Sequence, residues 1–375
     1  MKNIAIIVPT LNKGGAERVA ANLSLEFAKY YNVYVIVHDG RDVTYPYGGT
    51  LIDLQLPPAS SKLGKVLTLL KRVRKLRRIK KEKNIHVSIS HLDPSDYVNL
   101  LSRRKDRVFL YRHNKLVHPV LEKWIARWAD KLICVSRFVE EHIVREHGVP
   151  AEKAVTVYNF CDIDAPEPRE KGPALTVMNM GRLSREKGQW HLLRAMKLVR
   201  QQLGDRVRLK ILGDGEYRQT LETLADRLGL GDAVTFGGFC QDPWSQLVEG
   251  DIFAFTSLWE GLPMALVEAG RCGLPILSTD CDSGCREILA PDTPPAAKTR
   301  RIEYGAYGIL APVFTEGEPD RLEPTEEEKL YAQALIELCE DPALRQRYSV
   351  LARERSEDFR SEKIMGQWRQ LIGEP

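Results

Sequence analysis

Short apolar, β-branched runs alternate along this chain with longer stretches of helical periodicity. The runs are Ile4–Thr10, Asn32–His38, His86–His91, Arg107–His113, Lys131–Ser136 and Ala154–Asn159, then Ala174–Gly181, Val207–Gly213, Ala233–Phe239, Ile252–Ser257, Pro275–Asp280 and Gly308–Val313. Continuous apolar strands separated by helices predict parallel sheets covered on both faces. Between the two series lies Asp162 to Pro173, rich in Pro, Gly and charge, which reads as an inter-domain linker. The expectation is an α/β chain of two Rossmann-like domains, residues 1–165 and 166–355. In the stretch from Phe359 to Ile372, residues Ile364, Met365, Trp368, Leu371 and Ile372 fall on one helical face. Residues 356–375 are therefore expected to form a helix that packs back on the first domain. The acidic stretch from Thr315 to Lys329 reads as a solvated loop entering a helix.

The chain has 375 residues, more than one compact core usually holds, which agrees with two domains. No apolar run reaches the roughly 18–20 residues that cross a bilayer, and the start MKNIAIIVPT is too short in apolar length for a signal peptide. A cytoplasmic location is the expectation. The seven Cys are odd in number and scattered, which argues against a disulfide framework. Cys281 and Cys285 form the nearest pair, but no second Cys or His pair completes a zinc site, so they read as buried or loop thiols. The net charge of +4 conceals an asymmetry. Between Lys62 and Lys83 eleven Lys and Arg face the single acid Glu82, a local net of +10 that leaves the remainder at −6. General nucleic-acid affinity is therefore a poor explanation of the basic excess.

Candidate chemistry gathers at the ends of the predicted strands in the second half. After Ile252–Ser257 a loop presents Glu260, and Pro263 stands where helices begin, because its missing N–H costs nothing there. The free N–H groups of Gly261, Leu262 and Met264 on either side of Pro263, with the helix dipole, would suit a diphosphate. Glu268, further along that helix, could accept hydrogen bonds from ribose hydroxyls. Gly181-Arg182-Leu183 and Glu186-Lys187-Gly188 follow the first strand of this half. Arg182 and Lys187 could neutralise charge developing on a departing diphosphate. Leu212-Gly213-Asp214-Gly215 ends the next strand, with glycines that let a ligand approach the backbone.

In these motifs the sequence resembles the retaining glycosyltransferases of family four. The resemblance rests on Gly181-Arg182-Leu183, Glu186-Lys187-Gly188, Leu212-Gly213-Asp214-Gly215 and the spacing of Glu260 from Glu268 within Ser257-Leu258-Trp259-Glu260-Gly261-Leu262-Pro263. It includes Gly14-Gly15-Ala16-Glu17-Arg18 near the start, and an N-x-x-D element at Val155–Asn159 with Asp162 or Asp164. It implies the GT-B architecture, two Rossmann-like domains whose parallel sheets face across a cleft. It further implies that Arg182 and Lys187 contact the donor diphosphate, Glu268 the ribose and Glu260 the transferred sugar. Gly15, Gly181, Gly213 and the backbone of Gly261 to Met264 would line the donor. The N-domain histidine of the family maps to His113 in Tyr111-Arg112-His113-Asn114, with His91 a weaker competitor. With Glu260, Arg182 and Lys187, His113 makes up the catalytic set. No general base is implied if the leaving phosphate oxygen takes the acceptor proton, and no metal or other cofactor is expected. The stretch Ser283-Gly284-Cys285-Arg286-Glu287-Ile288-Leu289 resembles a subgroup that often uses UDP-sugars, and residues 291–307 look like an added loop nearby.

The basic segment has an apolar stripe at helical spacing, Leu63, Val66, Leu70, Val73, Leu76 and Ile79. A helix of this kind can lie on an anionic leaflet, with Lys71, Arg72, Arg74, Lys75, Arg77 and Arg78 at the headgroups, or can pack its stripe on the sheet. The reading is a peripheral enzyme on the inner face of the membrane that acts on a lipid-linked or glycan acceptor. A dehydrogenase would carry G-x-G-x-x-G where this chain reads Leu11-Asn12-Lys13-Gly14-Gly15-Ala16. A sugar-nucleotide epimerase would lack the basic helix and the Arg-Lys and Glu pair set. A non-catalytic membrane-binding protein would not need the intact donor motifs. RNA binding lacks interleaved aromatic residues.

Overall fold

The computed structural model describes residues 1–12, 14–114, 119–164, 172–315, 317 and 319–373. The chain divides into two compact units, Met1–Asn159 with Ile364–Pro375, and Phe160–Lys363. The first crossing thus falls at Asn159, ahead of the expected 165, and the second falls inside the last helix rather than at 355. The linker reading of 162–173 rests mostly on residues 165–171, outside those described.

The first unit runs β1 (Asn3–Val8), α1 (Gly15–Ala28), β2 (Asn32–Val37), β3 (Thr50–Asp53), α2 (Lys62–Glu82), β4 (Val87–His91), α3 (Asp93–Leu101), β5 (Arg107–Arg112), α4 (Pro119–Trp128), β6 (Lys131–Cys134), α5 (Arg137–Arg145) and β7 (Ala154–Thr156). Its seven strands are parallel, in the order β3-β2-β1-β4-β5-β6-β7. The strand order reverses direction between β1 and β4. Open α/β sheets bind ligands at such switch points, beyond the carboxyl ends of the strands.

The second unit repeats the plan with β8 (Leu175–Met180), α6 (Gln189–Leu203), β9 (Val207–Leu212), α7 (Arg218–Arg227), β10 (Val234–Gly238), α8 (Trp244–Leu247), β11 (Ile252–Phe255), α9 (Met264–Arg271), β12 (Ile276–Thr279), α10 (Cys285–Leu289), β13 (Glu303–Tyr304), β14 (Ile309–Ala311), α11 (Glu326–Glu340) and α12 (Pro342–Ser356). The order is β10-β9-β8-β11-β12-β14-β13, parallel except for β13, and the switch point lies between β8 and β11. All twelve strands expected from the apolar runs are present. The two strands that the pattern missed, β3 and β13, are short edge strands.

A last helix, α13 (Ser361–Ile372), carries its apolar face into the first unit. Trp368 is buried, meets Phe27 of α1 edge-on at 5.5 Å and stacks on Tyr111 of β5 at 5.9 Å. Its carbonyl end is held by cations, as the helix dipole favours: Arg107 donates to Leu371 O at 2.6 Å and Lys2 to Ile372 O at 2.9 Å.

Helix α2 departs from the sequence reading. Its cap is conventional, with Ser61 Oγ accepting from Gly64 N at 3.1 Å. The expected single stripe, however, splits into two faces. Leu76 is fully buried in a cluster with Ala5, Ile7, Ile36, Leu54, Ile85 and Val98, against which Leu69, Val73 and Ile79 pack. Leu63, Val66, Leu67 and Leu70 instead point outward, from 49% exposed at Leu67 to 71% at Leu63. At 100° per residue this outward face continues into Arg74, Arg77, Arg78 and Lys81, so one ridge changes from apolar to cationic along the helix.

Two of the expected lipid-facing cations are held by the fold. Arg72 is buried and donates twice to Leu56 O, at 3.0 and 2.5 Å. Lys75 donates to Leu54 O at 2.7 Å. Further along, Lys80 is buried against Asp106 at 2.7 Å and Asn99 Oδ1 at 2.7 Å. A buried charge needs such partners, because desolvation without them costs several kcal/mol. Lys71, Arg74, Arg77 and Arg78 remain exposed.

Burial also neutralises His38, at the carboxyl end of β2, whose pKa falls from 6.5 to about 3 through desolvation and then through the charge of Arg72. The unfolded chain binds a proton there below pH 6.5 and the folded chain does not. This stabilising contribution is full above pH 6.5 and is lost as pH falls toward 3. Denaturant unfolding at pH 7.5 and pH 5.0 should show a loss of about 2 kcal/mol from this residue. His38→Phe should lose correspondingly less between the two pH values; an unchanged pH slope in that variant would refute the assignment.

Candidate active site

The loops after β8, β9, β11 and β12 carry the motifs singled out in the second half. Strand β8 ends at Met180, and Gly181 follows with its N–H donating to Leu212 O at 2.9 Å. Gly213 has φ 137°, and a Cβ there would lie 1.9 Å from Gly181 O. No side chain fits that approach, so the two strand ends lie backbone to backbone. Gly215 is similarly confined, since a Cβ would come within 2.3 Å of Leu183 O.

After Gly181 the chain makes a single 3-10 turn, Arg185–Lys187, closed by Gly188 at φ 59°. A Cβ at Gly188 would lie 2.5 Å from Thr256 O. This turn is sewn to the loop after β11: Leu258 N donates to Glu186 O at 2.8 Å and Thr256 Oγ1 to Lys187 O at 3.1 Å. The result brings Lys187 onto Glu260. Their Nζ and Oε1 are 2.6 Å apart, and Ser257 Oγ donates to the same Oε1 at 2.7 Å. Lys187 runs across the bare face of Gly181, within 3.5–3.6 Å of where a Cβ would stand. Burial opposes the charge on Lys187, but Glu260 outweighs it and holds the ammonium above its ordinary pKa. Lys187 is therefore a fixed cation at neutral pH.

Glu260 leads into α9. Pro263 occupies the N-cap position, and no side chain caps the helix. Leu266 N donates to Pro263 O at 3.0 Å. An uncapped helix start leaves backbone N–H groups and the positive dipole end for an anion. Glu268 lies in this helix and is 4% exposed. The backbone of Glu260 is tied to the loop after β12, donating to Asp282 O, and Ser283 Oγ donates to Gly261 O at 2.6 Å. Thus Gly181, Lys187, Gly213, Glu260, Gly261, Leu262, Pro263 and Met264 stand on adjoining strand ends, and Arg182 lies exposed on the same loop as Lys187. The arrangement supplies fixed positive potential, a carboxylate acceptor and glycine-lined backbone, which together suit a phosphorylated ligand bearing hydroxyls.

The added loop is built in by a residue to which the sequence reading gave no role. Arg286 joins Asp280 Oδ2 at 2.7 Å to Glu303 Oε2 at 2.8 Å and donates to Thr293 Oγ1 at 3.0 Å. Lys298 pairs with Asp282 at 2.8 Å, and Thr299 N donates to Asp280 Oδ2 at 2.7 Å. Cys281 and Cys285 are buried thiols with Sγ atoms 3.5 Å apart.

In the first unit, Gly14 caps α1 in extended conformation and Gly15 opens it, with nothing within 4 Å of a Cβ on Gly15. Strand β4 ends at His91, and His113 follows β5. His91 Nδ1 and His113 Nε2 are 2.9 Å apart, so the two competing histidines form a pair. Each ring also stacks on Tyr111, at 4.7 and 4.8 Å. Desolvation lowers both pKa values, that of His113 to about 3 with a further contribution from Arg112. Arg112 itself is buried between Asp96 and Glu122. Among the described residues no helix is long and apolar enough to cross a membrane.

Comparison with known proteins bears on the fold and on the family. The family described as Glycosyltransferase Family 4 matches residues 13–165, and that described as Glycosyl transferases group 1 matches residues 162–294. An uncharacterised glycosyltransferase of Methanocaldococcus jannaschii is 36% identical over 67% of this chain, which spans 65% of the relative's length. The N-acetylgalactosamine-N,N'-diacetylbacillosaminyl-diphospho-undecaprenol 4-alpha-N-acetylgalactosaminyltransferase of Campylobacter jejuni is 25% identical, over 97% of each chain. The crystal structure of Anabaena HepE with UDP and glucose superposes with a TM-score of 0.76 at 19% identity, covering 99% of each chain. With both domain families matched in tandem and the fold shared from end to end, this chain is a two-domain glycosyltransferase of the GT-B fold.

Proposed function

We propose that this glycosyltransferase moves a hexosyl or N-acetylhexosaminyl group from a UDP-sugar to a lipid-linked or glycan acceptor at the inner membrane surface, with retention of anomeric configuration. The observation that carries the donor reading is the Lys187–Glu260 pair beside the uncapped start of α9. UDP and glucose in the Anabaena structure, and a diphospho-undecaprenol-linked acceptor in the name of the Campylobacter enzyme, support the donor and acceptor classes.

In this reading Lys187, Arg182 and the N–H groups at the start of α9 take the diphosphate. Glu260 uses Oε1 for Lys187 and Ser257, and Oε2 accepts from a sugar hydroxyl. Glu268 accepts from the ribose, and the strand ends at Gly181 and Gly213, packed backbone to backbone, form the floor beneath the nucleoside. The acceptor hydroxyl oxygen bonds to the anomeric carbon as the bond from that carbon to the diphosphate breaks. The hydroxyl proton passes to the departing phosphate oxygen on the same face. Fixed cations stabilise the negative charge growing on that oxygen, so no divalent metal is called for. Within the first unit, His113 is neutral and offers a hydrogen bond to a sugar, and Gly15 leaves the start of α1 open to an anion.

For the membrane, the outward ridge of α2 offers Leu63, Val66, Leu67 and Leu70 for insertion at the acyl boundary. Lys71, Arg74, Arg77 and Arg78 then lie at the level of anionic headgroups.

Ligand-induced thermal stabilisation should favour UDP over GDP and ADP. Lys187→Ala or Arg182→Ala should cut transfer by about 100-fold or more without loss of secondary structure. Near wild-type rates in both variants would refute the donor assignment. Transfer should persist in excess EDTA, and a strict divalent requirement would reject the metal-free mechanism. Replacing Arg74, Arg77 and Arg78 with Glu should weaken binding to phosphatidylserine vesicles in sedimentation by at least roughly 100-fold, since about 1 kcal/mol is lost per cation before the repulsion of the new carboxylates is added. Changing Leu63, Val66, Leu67 and Leu70 to Ser should also release the protein. Unaltered sedimentation in both would remove the lipid surface from the proposal.

A further inference from the structure

The histidine pair of the first unit carries more information than its position. Both rings are uncharged, since burial favours the neutral imidazole at each. A neutral imidazole has one N–H and one lone pair. The 2.9 Å contact between His91 Nδ1 and His113 Nε2 needs one proton, so one ring donates and the other accepts. The two possible arrangements differ in what they leave at the other nitrogens.

His91 is fully buried, and its Nε2 has no hydrogen-bonding partner among the described residues. If His113 donated, His91 would carry its proton on Nε2, and an N–H would be left orphaned inside the unit. If His91 donates from Nδ1, only a lone pair is left unmatched. Buried orphan N–H groups are the rarer and costlier defect. The packing fixes the contact further, because both imidazoles stack on Tyr111, which is backed by Trp368 of α13.

We propose that His91 is a positioning residue for His113: it donates Nδ1–H to His113 Nε2 and holds His113 in the Nδ1–H tautomer. His113, only half-buried, then presents a hydrogen-bond donor on its remaining nitrogen and has no lone pair there to accept a proton. A donor fits a sugar hydroxyl or ring oxygen, and it rules out His113 as a base through that atom. The catalytic consequence rests on the role given to His113 above; the tautomer itself does not.

Long-range proton–nitrogen correlation on protein labelled with 15N-histidine reads the tautomer directly. His113 should show a protonated Nδ1 and an unprotonated Nε2. His91→Asn keeps an N–H near the position of Nδ1 and should preserve that pattern. His91→Phe keeps the stack on Tyr111 but removes the donor, and should let His113 take up the Nε2–H form. In transfer assays His91→Phe should lower kcat about tenfold with little change in KM for the donor, and His91→Asn should restore most of it. Wild-type His113 protonated at Nε2 would overturn the proposal, whatever the variants do. So would a His113 pattern unchanged in His91→Phe. A protein that binds no nucleotide sugar but shows the expected tautomer would overturn the function and leave the histidine relay standing.

Discussion

Parallel strands cannot be joined by a tight turn, and this constraint organises the molecule. Each strand must be followed by a crossover long enough to return the chain to its starting edge, and a helix that covers the sheet is the economical solution. Both faces of each sheet are buried as a result, and every strand-to-helix loop emerges at the same edge. Chemistry-bearing residues that are far apart in sequence, such as Gly181, Gly213, Lys187 and Glu260, therefore converge on adjoining strand ends. The glycines are the visible cost of that convergence. Gly213 meets Gly181 at a distance no Cβ could tolerate, and Gly188 does the same against Thr256.

The parts of this plan set by continuous apolar runs were legible in the sequence. A strand buried on both faces has no polar alternation to blur it, so the runs from Ile4 and from Ile252 announce themselves. Strands β3 and β13 did not, because each is short, lies at a sheet edge and is only partly covered. The donor-loop motifs were legible because backbone geometry dictates their residue types. Where those loops are anchored was not. Nothing in the spacing of Arg286 shows that it ties Asp280 to Glu303 and so holds the added loop, since an ion pair is chosen by three-dimensional proximity.

Helix α2 shows where periodicity misleads. An apolar stripe and a cationic remainder suggest one buried and one solvated face. The helix instead turns Arg72 and Lys80 inward, where a carbonyl or a carboxylate meets each charge, and leaves four apolar side chains outside. Hydrophobicity alone ranks these positions wrongly, because a long cationic side chain can bury its stem and hydrogen-bond at its tip. The two histidines pose a related problem. As single candidates they compete for one role, whereas the fold makes them successive members of one hydrogen-bonded chain.

The placement of Trp368 has a consequence for how the polypeptide is made. The second unit is, in topological terms, an insertion within the first, because the chain leaves at Asn159 and returns only at Ile364. During vectorial synthesis all seven strands of the first sheet emerge before the second unit, yet the surfaces of Phe27 and Tyr111 that Trp368 covers must wait until the second unit has been made. The first unit to emerge is thus the last to be completed. Meanwhile the second unit can close its own core, and the nascent chain carries an open aromatic seam beneath His91 and His113 until α13 docks.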